Sequence, residues 1–367
     1  MHFEINKDNT LFVAVTGSHA YGTSTPQSDV DHRGVVRTPL SIKISTTQRF
    51  EQFQGDVPAL RAGHTQPWQD CVIYDLVKAA GLIAQCNPNM VELLWIPQRC
   101  IVLADNRWDS LVEIRDSFLS TKAQHTYSGY AFAQWRKIAS HRGWLLNPPK
   151  APPTRKDYGL PEQSVLSADD RNRIEESIEG ILRNWGIEDL VMDGAERDVL
   201  RSRMQDFYGT LLAQQRMSRE DDEPDLRTIA GRSLGLSEQI LEALKAERAY
   251  RAAIKHWASY QRHQSTRNEV RAELEKRFGY DCKHAMHLVR LLRMGTEVLS
   301  GKGVLVERPD AEELMAIRQG AFTYDQIDAI AKAENERLEA VAKTSTLPKT
   351  ADIAAIDRAI RKIYGVD

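Results

Sequence analysis

Residues 13–36 read VAVTGSHAYGTSTPQSDVDHRGVV, and few folds accept such a stretch. An apolar, β-branched run breaks at Gly17-Ser18, crosses a loop of small and polar residues, and resumes around Asp29 and Asp31. Gly17 permits a sharp backbone turn, and Ser18 follows where a helix can start, with free N–H groups and a hydroxyl facing outward. Such a turn can cradle a phosphate. Asp29 and Asp31 stand two apart in a run expected to be a strand over Val30–Val36, so their side chains share one face. Two carboxylates that close repel each other, and burial raises the cost. Hard divalent cations remove it by taking oxygen ligands from both, which makes Mg²⁺ or Mn²⁺ the expected partner. Held in pairs, such ions activate an attacking oxygen and stabilise a leaving pyrophosphate. Either motif alone is commonplace, a Gly-Ser turn or a solvated D-x-D edge. Joined in this order between two apolar runs they are far more specific.

The rest of the chain is compatible with a soluble enzyme of more than one domain. Its 367 residues are 42% hydrophobic and 27% charged, with net charge −2, so nothing global points to nucleic acid. The start MHFEINKDNT has no charged segment followed by an apolar one, and no apolar run is long enough to span a bilayer. A cytoplasmic protein with no membrane partner is expected. Cys71, Cys86, Cys100 and Cys282 lack C-x-x-C spacing and read as reduced, mostly buried thiols.

Four segments follow from pattern. Residues 1–105 mix strand signals at Leu11–Val15, Val30–Val36 and Cys71–Tyr74 with one clear helix, DLVKAAGLIAQC, capped by Asp75 and ending before Asn87-Pro88. Residues 106–164 turn helical and then run into LLNPPKAPPTRKDYGLP, whose five prolines make a stiff connector. Residues 165–270 read as a helical insertion, and 271–367 as a helical C-terminal region.

The joined loop resembles the nucleotidyltransferase superfamily of DNA polymerase β. More narrowly, GSHAYGTSTPQSDVDHRGV is similar to the RNA-repair-pathway DNA polymerase β-like family. NPNMVELLW at 87–95, the segment 118–162, and GYDCKHAMHLVRLLRMGTEVL at 279–299 share the resemblance. It implies an α+β protein, with a mixed sheet backed by helices as the catalytic domain and a mostly helical C-terminal region that contributes to nucleotide binding. It also implies transfer of a nucleoside monophosphate from an NTP, ATP among them, to an acceptor hydroxyl. Ser18 would touch the β and γ phosphates, and Asp29 and Asp31 would hold metal. A third carboxylate is required on a neighbouring strand. Asp70 in WQDCVIYDL fits, since it begins a short apolar strand at the right distance before a helix, and Asp75 competes although a capping role already accounts for it. Arg33, on the face of Asp31, reads equally as a phosphate contact or a salt-bridge partner.

Two further clusters extend the expected site. Between Ser120 and Leu160, Lys122, Arg136, Lys137, Arg142, Lys150, Arg155 and Lys156 face only Asp157, a net of +6 in an otherwise acidic chain. Tyr127, Tyr130, Phe132, Trp135, Trp144 and Tyr158 are interleaved. Cations that track phosphates and rings that stack on bases are what an unpaired RNA strand requires, with Arg136, Lys137, Arg142, Tyr130 and Trp135 as its contacts. The plainer reading packs the rings inward and leaves the cations solvated. On a helix, Lys283, His287 and Arg290 fall on one stripe, three candidate cations for a triphosphate, with His284 adjacent to cap or to shuttle a proton. His284 and His287 without a carboxylate on their face argue against zinc. An RNA 3′ end is the first acceptor expected. A protein side chain, a small molecule, or a retired fold that only binds RNA are the alternatives.

Overall fold

The computed structural model describes residues 3–61, 67–164, 167–184, 226–266 and 269–366. It divides into two compact units, one formed by Met1–Pro148 with Asn268–Asp367, the other by Pro149–Arg267. The break at Pro148-Pro149 falls inside the proline-rich connector.

The first unit is built on a mixed five-stranded sheet in the order β3-β4-β2-β1-β5, from β1 (Thr10–Thr16), β2 (Asp31–Val36), β3 (Gln52–Gln54), β4 (Asp70–Asp75) and β5 (Ile101–Ala104). β1 pairs antiparallel with β2 and β5, β3 antiparallel with β4, and β2 runs parallel to β4. β1, β2 and β4 form where the sequence concentrates β-branched and small apolar residues, whereas β3 and β5 are not indicated by the sequence. β2 begins at Asp31, so Asp29 lies in the exposed chain before the strand and not on it. That corrects the expectation of two carboxylates on one strand face.

In chain order the helices of this part are α1 (Ser18–Tyr21), α2 (Leu40–Lys43), α3 (Leu76–Ala84), α4 (Pro88–Val91), α5 (Asn106–Val112) and α6 (Ala123–Leu146). Phe12, Ala14 and Val35 of the sheet join Leu76, Ala79, Ala80 and Ile83 of α3 in the large core, and Val13, Val36, Cys71 and Ile73 form a smaller core on the other side. All four cysteines are free and buried.

In the second unit the described helices are α7 (Ala168–Asn184), α8 (Leu226–Ser233) and α9 (Glu238–Thr266), with a small core of Ile178, Ala230 and Leu244. Thr154 and Asp157 cap a short turn there, and Arg155 is committed to an ion pair with Glu247. Residues 185–225, the middle of the segment read as an insertion, lie outside the described residues.

The chain then returns to the first unit through α10 (Glu269–Phe278), α11 (Cys282–Leu299), α12 (Ala311–Arg318), α13 (Tyr324–Thr344) and α14 (Ile353–Tyr364). α11 is its central post. Ala285, Leu288, Val289, Leu291, Leu292 and Val298 are buried, and a fully buried leucine or valine contributes roughly 1.5–3 kcal/mol. Gly295 lets α11 approach α6, since a Cβ there would lie 2.8 Å from that of Tyr127. Among the described residues no helix is long and apolar enough to cross a membrane.

Candidate active site

β1 delivers the chain to Gly17, whose φ of 66° and ψ of −143° belong almost exclusively to glycine. α1 then starts at Ser18 and ends at Gly22 in the left-handed conformation. A Cβ on Gly17 would sit 2.4 Å from Oδ2 of Asp31. The turn and the carboxylate are therefore in direct apposition, as register requires, because Thr16 pairs with Asp31 across β1 and β2.

Register also discriminates between the two candidates for the third carboxylate. On the parallel pair β2–β4, Asp31 is partnered by Asp70, whereas Asp75 is partnered by Val36. Five strand steps separate those positions, roughly 16 Å at about 3.3 Å per residue. Asp75 is instead buried, accepts from the N–H groups of Val77 and Lys78 as the cap of α3, and pairs with Lys43. Burial raises the Asp31 carboxyl above the usual carboxylate range, and the neighbouring Asp70 charge adds to that effect. Arg33 and Lys283 pull it back down. Asp31 and Asp70 thus form a close carboxylate pair, while Asp29 is exposed in the chain before β2.

Beneath the turn lies a buried charge network that the sequence reading did not find. Glu92 is fully buried, accepts a hydrogen bond from the Tyr21 hydroxyl at 2.8 Å, and has its Oε1 3.8 Å from Nη1 of Arg33. Arg33 also donates to Oγ1 of Thr16 at 3.3 Å. The Arg290 guanidinium lies 4.0 Å from the centroid of the Tyr21 ring. Burial pushes the Glu92 carboxyl up, and Arg33 and Arg290 oppose the shift. A glutamate inside the apolar run NMVELLW was the available signal. Other arginines hold the loop from outside. Arg99 donates to the His19 carbonyl at 3.0 Å, and Arg318 to the Thr23 carbonyl at 2.6 Å.

The stripe on α11 differs from three exposed cations. Lys283 is half-buried and acts on Asp31, but Arg290 is only 5% exposed and belongs to the network under α1. His287 is held well below the usual histidine range by burial, with Arg290 and Lys283 adding to the effect, so its imidazole is neutral at pH 7. The stripe carries two cations and a neutral ring because the helix buries that face. His284 points its Nδ1 at Oε1 of Gln134, 2.8 Å away. His284 does have a carboxylate beside it, contrary to the sequence reading. Asp281, the cap of α11, lies against His284 and against His141 of α6.

The basic, aromatic segment is only partly open. Tyr127 and Trp144 are buried, and Trp135 is half-buried and stacked on Tyr324 with centroids 5.8 Å apart. Arg142 donates to the Gly279 carbonyl at 2.9 Å and lies over the Tyr324 ring, which ties α6 to the entry of α11. Trp135 and Arg142 are thereby drawn into the fold, away from the exposed role expected of them. Arg136, Lys137, Phe132 and Tyr130 remain exposed, with Tyr130 accepting from the side-chain amide of Asn87.

Asp31 and Asp70 offer hard oxygens only, and their apposition is costly without a cation, so this pair fits Mg²⁺ or Mn²⁺, whereas the structure does not bring Asp29 into one donor cluster with them. The chain is 30% identical over 137 residues to the "Uncharacterized 38.9 kDa protein in nrdC-mobD intergenic region" of Enterobacteria phage T4. The overlap covers 36% of this chain and 39% of that relative's length. No solved structure matches. Residues 2–145, which contain the sheet, the Gly17 turn and the three aspartates, match the model of the RNA repair pathway DNA polymerase beta family, RlaP.

Proposed function

We propose that the protein is a metal-dependent nucleotidyltransferase that moves a nucleoside monophosphate from an NTP to an acceptor hydroxyl, first among them an RNA 3′ end. The observation that carries the reading is the in-register pair Asp31–Asp70 beside the Gly17 turn. The match of residues 2–145 to a polymerase β-like family model supports the coarser assignment to nucleotidyl transfer.

In this reading the acceptor oxygen forms a bond to the α-phosphorus, the bond from that phosphorus to the bridging oxygen breaks, and pyrophosphate leaves. Asp70, the most open of the paired carboxylates, accepts the proton of the attacking hydroxyl. Ser18 and the α1 turn orient the β and γ phosphates, and Lys283 offsets negative charge at Asp31. Arg33 holds the Asp31 face in place through Thr16 and Glu92. Mg²⁺ or Mn²⁺ held by Asp31 and Asp70 would supply Lewis acidity for the attacking and leaving oxygens. Most of the remaining catalysis is positioning.

The packing of Tyr127, Trp135 and Trp144 also favours a second reading, transfer to a protein side chain or small molecule, because few rings are left for stacking on bases. The deciding experiment incubates the full chain with each α-labelled NTP, Mg²⁺ and separate cellular RNA, protein and metabolite fractions, with Asp31→Asn as control. Label in RNA supports the first reading and label in protein or metabolites the second. No label in any fraction overturns nucleotidyl transfer.

A further inference from the structure

His141, Asp281 and His284 come from two different helices and converge on one point. We infer that these three side chains form a binding site for a borderline transition-metal ion of the Zn²⁺ type, built from donors other than the three aspartates of the candidate active site.

The geometry suits one ion. Tetrahedral zinc takes nitrogen and oxygen ligands at about 2.0–2.2 Å, which places the ligand atoms of one ion roughly 3.3–3.5 Å apart. Oδ2 of Asp281 lies 3.2 Å from Nδ1 of His141 and 3.6 Å from Nε2 of His284, and all three donor atoms are within 4.8 Å of one another. The side chains are 15%, 2% and 16% exposed for His141, Asp281 and His284, so the donors are mostly dry but open enough for an ion to enter.

The surroundings orient the donors. Nδ1 of His284 meets Oε1 of Gln134 at 2.8 Å, and donating a proton there leaves the Nε2 lone pair directed at the Asp281 carboxylate. An outer acceptor of this kind fixes the tautomer of a metal-bound histidine. The other Asp281 oxygen accepts the backbone N–H of His284 at 3.1 Å, which fixes the carboxylate as cap of α11. Two imidazoles and one carboxylate select a borderline ion over Mg²⁺, whereas the all-oxygen set at Asp31 does the reverse. On binding, His141 coordinates through Nδ1 and releases any proton held there to solvent. The ion would tie α6 to the first turn of α11, next to Lys283. A water completes the shell.

The test is titration of the full-length protein, stripped by chelator and dialysed into millimolar Mg²⁺ to occupy the carboxylate site, with Co²⁺ and then Zn²⁺. The expected result is one equivalent of Co²⁺ with the visible d–d bands of a tetrahedral site, displaced by Zn²⁺, and a higher melting temperature with Zn²⁺. His284→Ala should abolish the bands. Asp281→Asn should do so as well, and because asparagine caps helices as effectively as aspartate, it keeps α11 intact. Gln134→Ala, which removes only the outer acceptor, should weaken Co²⁺ binding about 10–100-fold with unchanged circular dichroism. No stoichiometric binding overturns the site, as does binding that survives Asp281→Asn or is unaltered in Gln134→Ala.

Discussion

Gly17→Ala is the most discriminating perturbation of the turn. The residue occupies φ 66°, ψ −143°, where a side chain costs on the order of 1–3 kcal/mol of backbone strain. The new Cβ would also stand 2.4 Å from Oδ2 of Asp31, closer than any real contact, so that carboxylate must rotate away. Driving it off its rotamer adds about 0.5–1.5 kcal/mol. The two effects together predict destabilisation of roughly 2–4 kcal/mol and loss of nucleotidyl transfer, because Asp31 no longer stands beside Asp70. Gly301 supplies the control. Its φ is also positive, at 76°, but nothing lies within 4 Å of a Cβ there, so Gly301→Ala should cost about 1–2 kcal/mol and leave turnover unchanged. Urea denaturation measures the first quantity and label incorporation the second. A Gly17→Ala protein that is no less stable than Gly301→Ala and still turns over would refute the apposition of turn and carboxylate.

Asp70→Ala should eliminate transfer with little change in stability, since Asp70 is exposed, whereas Asp75→Ala should lose a helix cap of about 1 kcal/mol and strand Lys43, together about 2–4 kcal/mol by denaturation, while sparing the rate. Asp31 has a folded pKa above its unfolded value near 3.8, so the metal-free protein is favoured while the carboxyl is protonated and loses stability as pH rises through the folded pKa. Asp31→Asn should therefore remove that decline, melt higher than the wild type at pH 7 without metal, and gain nothing from added Mg²⁺; a variant still stabilised by Mg²⁺ would contradict the ligand assignment. If the exposed face of α6 binds single-stranded RNA, affinity should fall with salt at a log–log slope of roughly −0.7 per phosphate, and Arg136→Ala or Lys137→Ala should shallow it. Salt-insensitive binding, measured by fluorescence anisotropy, would assign the RNA contact elsewhere.

Local elements, and the chemistry they can carry, are legible in the residues themselves. The apolar runs at Leu11–Val15 and Cys71–Tyr74 lie within the strands Thr10–Thr16 and Asp70–Asp75, Asp75 capped α3 as its position before Leu76 demands, and Gly17-Ser18 made the turn, because each depends on near neighbours alone. Tertiary structure decided everything that depends on register and burial. Only the parallel pairing of β2 with β4 shows that Asp70, not Asp75, stands beside Asp31. Only packing shows that Glu92 is enclosed with Tyr21, Arg33 and Arg290, that His287 is neutral, and that Trp135 and Arg142 serve the fold. His141 and Asp281 are 140 residues apart, and no sequence period links them. Helical spacing assigns a residue to a face, but which face is dehydrated, and which distant side chain it meets, follows from how α6 and α11 cross.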